Sequence, residues 1–259
     1  MKRRAALICP IKDETTYIDK FFEYYSRHFE SRDIYILDFG SSEDYLKNKI
    51  GNKANIIKTD ANILDAIELF NALRALQSRL YEDYVYSIPV DVDEFIIYNK
   101  PGGLKKYLKE TDTEIATCVG QEVIHLPFLQ PDLDLDSKWI YQLKYWYPNI
   151  QHYGKTLICK SELEWESGFH TYIGEDYPQR SATTDDNLFL IHMHKHDFET
   201  TINRHKFWSD FKWSKKSIEG GHNHHYRQKK REEIEKWYYK PMFDGIYEIP
   251  ESIKKSLNI

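Results

Sequence analysis

Three carboxylate residues are concentrated in the stretch IPVDVDEFII, residues 88–97: Asp91, Asp93 and Glu94. The apolar residues on both sides are typical of a buried strand, and residues two apart on a strand point to the same side. We therefore expect Asp91 and Asp93 to face one pocket. Close, buried carboxylates repel each other and are costly to ionise, and a divalent cation removes both penalties. The stretch predicts a site for Mn²⁺ or Mg²⁺; the alternative is an exposed acidic turn after a strand.

Histidines form two clusters, HMHKH at residues 192–196 and HNHH at residues 222–225. His192 and His194 alternate along a predicted strand, and neutral imidazole is a good ligand for Mn²⁺ or Zn²⁺. A separate zinc site built from both clusters is an alternative, but the spacing lacks the paired cysteines that are usual in such sites. The second cluster, His222 to His225, could instead lie in a loop that closes over the donor site as a lid.

The first hundred residues alternate between apolar strands and helices with one buried face. Strands are predicted at Ala5–Pro10, Ile34–Leu37, Ile56–Ile57 and Tyr84–Val90, and helices at Thr15–Phe29 and Ile63–Leu80. This order is typical of an α/β fold with parallel strands, in which ligands bind beyond the carboxyl ends of the strands. Polar residues follow all four predicted strands, at Lys12–Glu14, Asp38, Asp60 and Asp91–Glu94.

The second half of the chain has a less regular pattern. It predicts strands at Thr113–His125, Leu157–Cys159 and Asn187–His194, and helices at Leu104–Leu108, Glu199–Trp213 and Arg231–Tyr239. We find no internal repeat and no clear linker, so we expect a single domain over residues 1–259. Its predicted parts are a nucleotide-binding half (1–100), an acceptor-binding and metal-completing half (101–200) and a basic helical C-terminal extension (201–259).

Hydrophobic content and charge distribution both bear on the class of protein. Hydrophobic residues make up 41% of the 259 residues, which is enough for a full core and argues against disorder. Residues 203–240 carry eleven Lys/Arg and five Asp/Glu, a net charge of +6, so the rest carries −11 of the total of −5. We expect peripheral membrane contact through this basic region, with residues 231–240 as an interfacial helix; a helix with solvated charges is the alternative. The acidic body argues against a nucleic-acid partner.

The cysteines and the N-terminus indicate the compartment. The three cysteines include no CxxC pair, which argues against a disulfide framework and fits a reducing compartment. The apolar run after MKRR is too short for a signal peptide, and no stretch approaches the roughly 20 apolar residues of a membrane span. We therefore expect a cytoplasmic protein that acts at the inner membrane face.

The order of these motifs resembles a known family. CPIKDE, IYILDFGSSED, a helix containing Asn71 and IPVDVDEFI follow one another as in GT-A fold glycosyltransferases, in the family-two-like branch whose metal motif reads DxDEF. The resemblance covers residues 5–100 well and residues 160–210 more loosely. It implies a GT-A-like, Rossmann-like α/β fold with a mixed, mostly parallel sheet flanked by helices. It also implies a nucleotide-sugar donor whose diphosphate is held through Mn²⁺ or Mg²⁺.

The resemblance implies roles for particular residues. Glu94 would orient local structure, and His192, with His194 as the second choice, would complete the metal site after a C-terminal strand. Phe39 and Glu43 depart from the family pattern, which leaves the identity of the nucleotide base open. The implied donor-binding residues are Lys12, Glu14, Asp38, Asp60, Asn71 and Asp91, and the implied metal ligands are Asp91, Asp93, His192 and His194.

A further stretch, SGFHTYIGED at residues 167–176, matches the acceptor side of the same family. Its Glu-Asp pair implies Asp176 as the base that deprotonates the acceptor hydroxyl. Pro178 interrupts the helix that normally follows the pair, so Glu166 and His170 remain alternative bases. A general base must come within about 3 Å of the hydroxyl that it deprotonates.

The sequence therefore predicts a metal-dependent glycosyltransferase. It would move a sugar from a nucleotide-diphosphate donor to a hydroxyl on a glycan or lipid-linked acceptor, as in surface polysaccharide biosynthesis. A nucleotidyltransferase on a similar sheet is an alternative, although CPIKDET lacks the glycines of a phosphate loop. A protein that binds a nucleotide-sugar or glycan without turnover is another. Donor turnover with added Mn²⁺ would separate these classes.

Overall fold

The computed structural model describes most of the chain, namely residues 2–59, 65–148, 154–155, 157–165, 172–173, 183–219, 230–243 and 245–259. Its strands are β1 (Arg3–Ile11), β2 (Ile34–Asp38), β3 (Asn55–Lys58), β4 (Tyr84–Pro89), β5 (Glu94–Tyr98), β6 (Ile115–Ile124), β7 (Tyr145–Pro148), β8 (Ile158–Cys159), β9 (Glu164–Trp165), β10 (Tyr172–Ile173), β11 (Thr183–Lys195) and β12 (Tyr247–Glu248). Its α-helices are α1 (Ile18–Tyr25), α2 (Glu43–Tyr45), α3 (Ala66–Asp83), α4 (Gly103–Glu110), α5 (Trp139–Gln142), α6 (Phe198–Ser209), α7 (Lys215–Glu219), α8 (Arg231–Tyr239) and α9 (Glu251–Leu257).

One mixed sheet organises the described part of the chain. Its centre is a parallel block in the order β3-β2-β1-β4. The short strand β8 joins β4 to β6 by antiparallel pairing, and β6 runs parallel to the long strand β11. β5 pairs antiparallel with β11, and helices α3 and α4 pack against the sheet. The predicted α/β class, with a mostly parallel sheet flanked by helices, is confirmed.

The central strands are buried because helices and neighbouring strands cover both faces. β1 is fully buried from Ala6 to Cys9, which explains its unbroken apolar run. The C-terminal residues join the same core, since Ile253, Leu257 and Ile259 pack with the strands. The C-terminal part is also not purely helical, because β12 pairs with β7. The division into three functional parts remains a prediction.

Tyrosines on α1 hold the strand that follows the acidic motif. The hydroxyl of Tyr25 donates to the carbonyl of Glu94 at 2.9 Å and accepts the N–H of Ile96 at 3.1 Å. Tyr24 donates to the carbonyl of Ile96, and the Tyr25 ring stacks on Phe95 at 9°. These hydroxyls are fully buried and hydrogen-bonded, as buried tyrosines require. Two of the 20 tyrosines of the chain therefore fix β5 against α1.

The acidic motif is a turn between two strands. β4 ends at Pro89 and β5 begins at Glu94, so Asp91 and Asp93 do not alternate on a strand as the sequence suggested. The N–H of Glu94 donates to the carbonyl of Asp91 at 3.0 Å, and the Glu94 carboxylate accepts the N–H of Asp91 at 3.0 Å. Glu94 thus closes the turn from both sides, which agrees with its predicted orienting role.

Helix α8 packs on the domain through its apolar face. Ile234 and Tyr238 are buried against Phe198 and Ile202 of α6, whereas its charged residues face solvent. The apolar face of α8 is therefore buried inside the domain, whereas an interfacial helix would need that face to contact the membrane. Among the helices of the described residues, none is long and apolar enough to cross a membrane.

Candidate active site

The loops after β1 and β2 are tied together at the carboxyl edge of the sheet. The ammonium of Lys12 donates to the carbonyl of Gly40 at 2.7 Å. The N–H of Asp13 donates to the Ser41 hydroxyl, and the Asp13 carboxylate accepts the N–H of Ser42, each at 2.9 Å. These two bonds hold Asp13 in the left-handed region, with φ of 44°. The predicted donor-binding loops therefore form one rigid rim.

Two predicted donor-binding carboxylates are buried in this rim. Asp38 accepts the N–H of Ser41 at 3.0 Å. One oxygen of Glu14 accepts the N–H groups of Thr16 at 2.7 Å and Tyr17 at 3.2 Å. Both carboxylates thus shape the loops in which they lie. Their predicted contacts with the nucleotide remain predictions.

Asp93 meets the two histidines of β11 at the same edge. One ligand atom from each of Asp93, His192 and His194 lies within 4.8 Å of the others, and all three residues are buried. The backbone holds this arrangement, because the N–H of Met193 donates to the carbonyl of Asp93 at 2.9 Å. Met193 lies between the two histidines in the sequence. This hydrogen bond therefore holds the acidic turn that carries Asp93 next to both histidines.

Glu122 orients the first histidine. β6 and β11 pair in a register that puts Glu122 opposite His192, and the Glu122 carboxylate lies 2.7 Å from His192 Nδ1. His192 Nε2 then faces Asp93 Oδ2 at 3.6 Å. Burial alone would lower the pKa of His192, but Glu122 and Asp93 outweigh it and raise that pKa. A carboxylate on Nδ1 that leaves Nε2 facing a second ligand is the usual arrangement behind a metal-binding histidine.

Arg204 of α6 contacts the carboxylate of the same trio. Its guanidinium pairs with Asp93 Oδ2, lies 3.3 Å from Glu14 Oε2, and stacks 4.7 Å from the ring centre of Tyr17. Burial would raise the pKa of Asp93, but Arg204 and His192 outweigh it and lower that pKa to about 2. Asp93 is therefore an anion throughout the physiological pH range.

Asp91 has a different partner from Asp93. Lys155, whose side chain is 1% exposed, lies 2.5 Å from Glu94 Oε1 and 3.3 Å from Asp91 Oδ2. Burial would lower the pKa of Lys155, but Glu94 and Asp91 outweigh it and raise that pKa, so the ammonium stays charged. Asp91, predicted as a donor contact and metal ligand, is not among the three residues of the metal group.

The buried thiol of Cys9 shows how the acidic groups converge. Cys9 lies near the end of β1, and burial raises its pKa well above the usual value. The charges of Asp91, Asp93, Glu14 and Glu94 raise it further. Four carboxylates are thus close enough to the end of β1 to act on this thiol, and each of them pairs with either Lys155 or Arg204.

The trio fits a divalent metal by its donor chemistry. One carboxylate and two imidazoles suit Mn²⁺ or Zn²⁺ better than Mg²⁺, which prefers oxygen ligands. Metal–ligand bonds of about 2.1 Å are typical for such donors, so small side-chain adjustments would bring all three atoms onto one ion. The ion pair between Arg204 and Asp93 would have to rearrange at the same time.

The other predicted site residues add no contact to this site among the described residues. Asn71 is exposed on α3. The remaining predicted residues fall outside the described part of the chain: Asp60, Glu166, His170, Asp176 and the cluster His222–His225.

Glu122, Arg204 and the buried ion pairs of Lys155 were not predicted from the sequence. Glu122 precedes His192 by 70 residues, and Arg204 follows Asp93 by 111. Only the pairing of β6 with β11 and the packing of α6 bring these residues together. The signal for Glu122 was its place on a strand that could pair with the histidine strand.

We expect Glu122→Gln to weaken Mn²⁺ binding by about 10–100-fold, the usual loss for a partner behind a metal ligand. The amide can donate its N–H₂ to Nδ1, which leaves the proton of His192 on Nε2, the nitrogen that must be free to bind the metal. Equilibrium dialysis with Mn²⁺ measures this change. Glu114→Gln is the matched control, because Glu114 is exposed and pairs only with Lys160 among the ion pairs described here. Equal affinities in both variants would contradict the role of Glu122.

Comparison with known proteins found solved structures that are similar to part of this chain. No protein-family model and no curated protein matched the chain. One similar solved structure is a glucosyl-3-phosphoglycerate synthase from Mycobacterium tuberculosis with Mn²⁺, UDP and glucosyl-3-phosphoglycerate, at 17% identity and a TM-score of 0.28. Another is a mycobacterial protein, at 16% identity and a TM-score of 0.34.

Those alignments cover 36% and 46% of this chain, and 34% and 41% of the two solved chains, respectively. They therefore describe less than half of any chain involved. The function proposed below rests on the site.

Proposed function

We propose that this protein is a metal-dependent glycosyltransferase of the GT-A type. It transfers a sugar from a nucleotide-diphosphate donor to a hydroxyl of a glycan or lipid-linked acceptor. The observation that carries the proposal is the buried trio Asp93, His192 and His194, in which Asp93 lies beyond the carboxyl end of β4 and the two histidines lie near the end of β11. Open α/β sheets bind ligands at this edge, and a cation there suits a diphosphate.

Each part of the edge then has a task. Asp93 and the histidines hold a cation, which when bound supplies positive charge to the departing diphosphate. Glu122 keeps His192 in the binding tautomer. The rigid rim that contains Lys12 and Asp38 receives the nucleotide, where backbone and carboxylate groups can contact base and ribose. Lys155 keeps the acidic turn in place.

The acceptor side is proposed from the sequence. Asp176 accepts the proton of the acceptor hydroxyl, with Glu166 and His170 as the alternatives. The basic C-terminal region brings the protein to an anionic membrane surface on the cytoplasmic side, where a lipid-linked acceptor is available.

A thermal-shift panel tests the proposal. UDP, GDP, ADP, CDP and dTDP are each added with and without Mn²⁺, and the matching nucleotide-sugar is then followed for release of the diphosphate. We expect one nucleotide to stabilise the protein only with Mn²⁺, because anything that binds the native state alone raises the unfolding temperature. Stabilisation without turnover of the sugar donor would indicate a binding protein instead. No response to any nucleotide would refute a nucleotide-sugar site.

A further inference from the structure

Arg204 and the candidate metal site share one carboxylate. Asp93 Oδ2 is paired with the guanidinium of Arg204, and the same oxygen lies 3.6 Å from His192 Nε2. Asp93 is the only anionic member of the trio, since the histidines are neutral when they bind a metal. The guanidinium therefore neutralises the one negative charge that the trio offers to a cation.

A divalent cation and Arg204 compete for this site. Like charges a few ångströms apart in a buried place repel strongly, because little water screens them. The side chain of Arg204 is 9% exposed, and that of Asp93 is 4% exposed. Cation binding to the trio alone must therefore work against the positive charge of Arg204.

A diphosphate would remove this competition. Guanidinium is planar, always charged and well suited to bidentate pairing with phosphate oxygens. A nucleotide diphosphate beside the trio offers Arg204 a new anionic partner and adds negative charge for the cation. The ion pair with Asp93 and the contact with Glu14 can then be exchanged for contacts with phosphate.

The backbone that carries Arg204 is anchored, so the side chain alone makes the exchange. The hydroxyl of Thr201, one turn earlier on α6, lies 2.8 Å from the carbonyl of His194 and 2.7 Å from that of Asp197, so its one proton is shared between these two acceptors. The start of α6 is capped by Asp197, which accepts the N–H of Thr200 at 2.7 Å. These bonds fix α6 to the end of the histidine strand and keep Arg204 within reach of the site.

We propose that Arg204 makes cation binding depend on the anionic donor. In the donor-free protein Arg204 pairs with Asp93 and Glu14 and weakens the metal site. When the diphosphate binds, Arg204 pairs with it, and Asp93 becomes a stronger metal ligand. This inference rests on the proposed function and adds a residue that couples metal and donor binding in the same site.

Equilibrium dialysis of Mn²⁺ with and without inorganic pyrophosphate tests the coupling. The excess of Mn²⁺ in the protein chamber reports the bound ion even though pyrophosphate binds Mn²⁺ in solution on both sides. In the unaltered protein we expect pyrophosphate to raise Mn²⁺ affinity by at least about 10-fold, within the usual range of coupling between two ligands. Reciprocally, Mn²⁺ raises pyrophosphate affinity by the same factor.

Arg204→Gln separates coupling from simple binding. We expect Mn²⁺ alone to bind about 3–10-fold more tightly, because the competing charge is gone, and the pyrophosphate enhancement to fall about 10-fold. Arg231→Gln is the matched control, since Arg231 is exposed and pairs with Glu199 away from the site. Arg204→Lys keeps the charge, so Mn²⁺ alone should still bind weakly while the enhancement falls; this variant decides the case if the glutamine variant does not fold.

The outcomes distinguish this inference from the proposed function. Weaker or unchanged Mn²⁺ binding in a folded Arg204→Gln, with the enhancement intact, overturns the coupling role and leaves the enzyme proposal standing. No Mn²⁺ binding by the unaltered protein, even with pyrophosphate, overturns both. An unchanged enhancement in Arg204→Lys likewise overturns the coupling.

Discussion

Asp93→Asn should lower the affinity for Mn²⁺ by more than about 100-fold, a larger loss than that typical for residues behind a metal ligand. Asp93 is the only anionic ligand of the trio, and its pKa of about 2 keeps it ionised. Asparagine has nearly the same shape but offers a neutral carbonyl in place of the charge. The stabilisation by nucleotide and Mn²⁺ together, and any turnover of the sugar donor, should disappear with the metal.

Equilibrium dialysis with Mn²⁺ measures this loss, and Asp112→Asn provides the matched control. Asp112 is almost fully exposed and pairs with Lys160, so the same change of charge there should leave Mn²⁺ binding within about twofold, as expected for a site with no contact with the metal. The unfolding temperature of Asp93→Asn should also be measured, because Arg204 loses its main charged partner. A folded Asp93→Asn protein that binds Mn²⁺ normally would place the metal somewhere else.

The strands and helices of the first half were predictable because their patterns are local. The unbroken apolar run of β1, the helical spacing of α1 and the run before Pro89 each indicated an element at nearly its observed place. β5 was missed, because the apolar residues after Glu94 read as a continuation of the strand before Asp91. Local patterns do not show where a strand turns when both arms are buried.

The metal trio was predictable to the extent that each ligand has a local signature. Asp93 lies in a recognisable acidic motif, and His192 and His194 alternate on one strand. Asp91 and Asp93 were expected on a strand but lie in a tight turn, where the two carboxylates pair with separate cations, Lys155 and Arg204.

Glu122, Arg204 and Lys155 could not be assigned from the sequence because their partners are set by sheet register and helix packing. Lys155 is separated from Asp91 by 64 residues and reaches it because β8, which closely follows Lys155, pairs with β4, which precedes the turn. A charged residue in a loop is usually solvated, so its type alone does not reveal a buried ion pair. The basic residues that pair with the carboxylates of an acidic site are therefore harder to identify from the sequence than the carboxylates themselves.

Lys155→Met should cost about 3–5 kcal/mol of the free energy of unfolding, the usual loss when one partner of a buried ion pair is removed. Methionine fills similar space but leaves the fully buried Glu94 and its neighbour Asp91 without their ammonium group. Since Glu94 closes the acidic turn through the N–H of Asp91, the turn itself should loosen. Urea unfolding, followed by tryptophan fluorescence and circular dichroism, measures the change.

A double-mutant cycle with Glu94→Gln shows whether the loss of stability comes from the carboxylate of Glu94 that is left unpaired. The Lys155→Met, Glu94→Gln double variant should recover a large part of the stability lost in Lys155→Met, because it removes the unpaired carboxylate as well as the ammonium. Lys160→Met is the matched control: Lys160 pairs with the exposed residues Asp112 and Glu114, and such surface pairs contribute about 0–1 kcal/mol. Equal small losses in Lys155→Met and Lys160→Met would show that the ion pair does not hold the acidic turn. A large loss at Lys155 alone would show that this ammonium stabilises the acidic turn on which Asp93 lies.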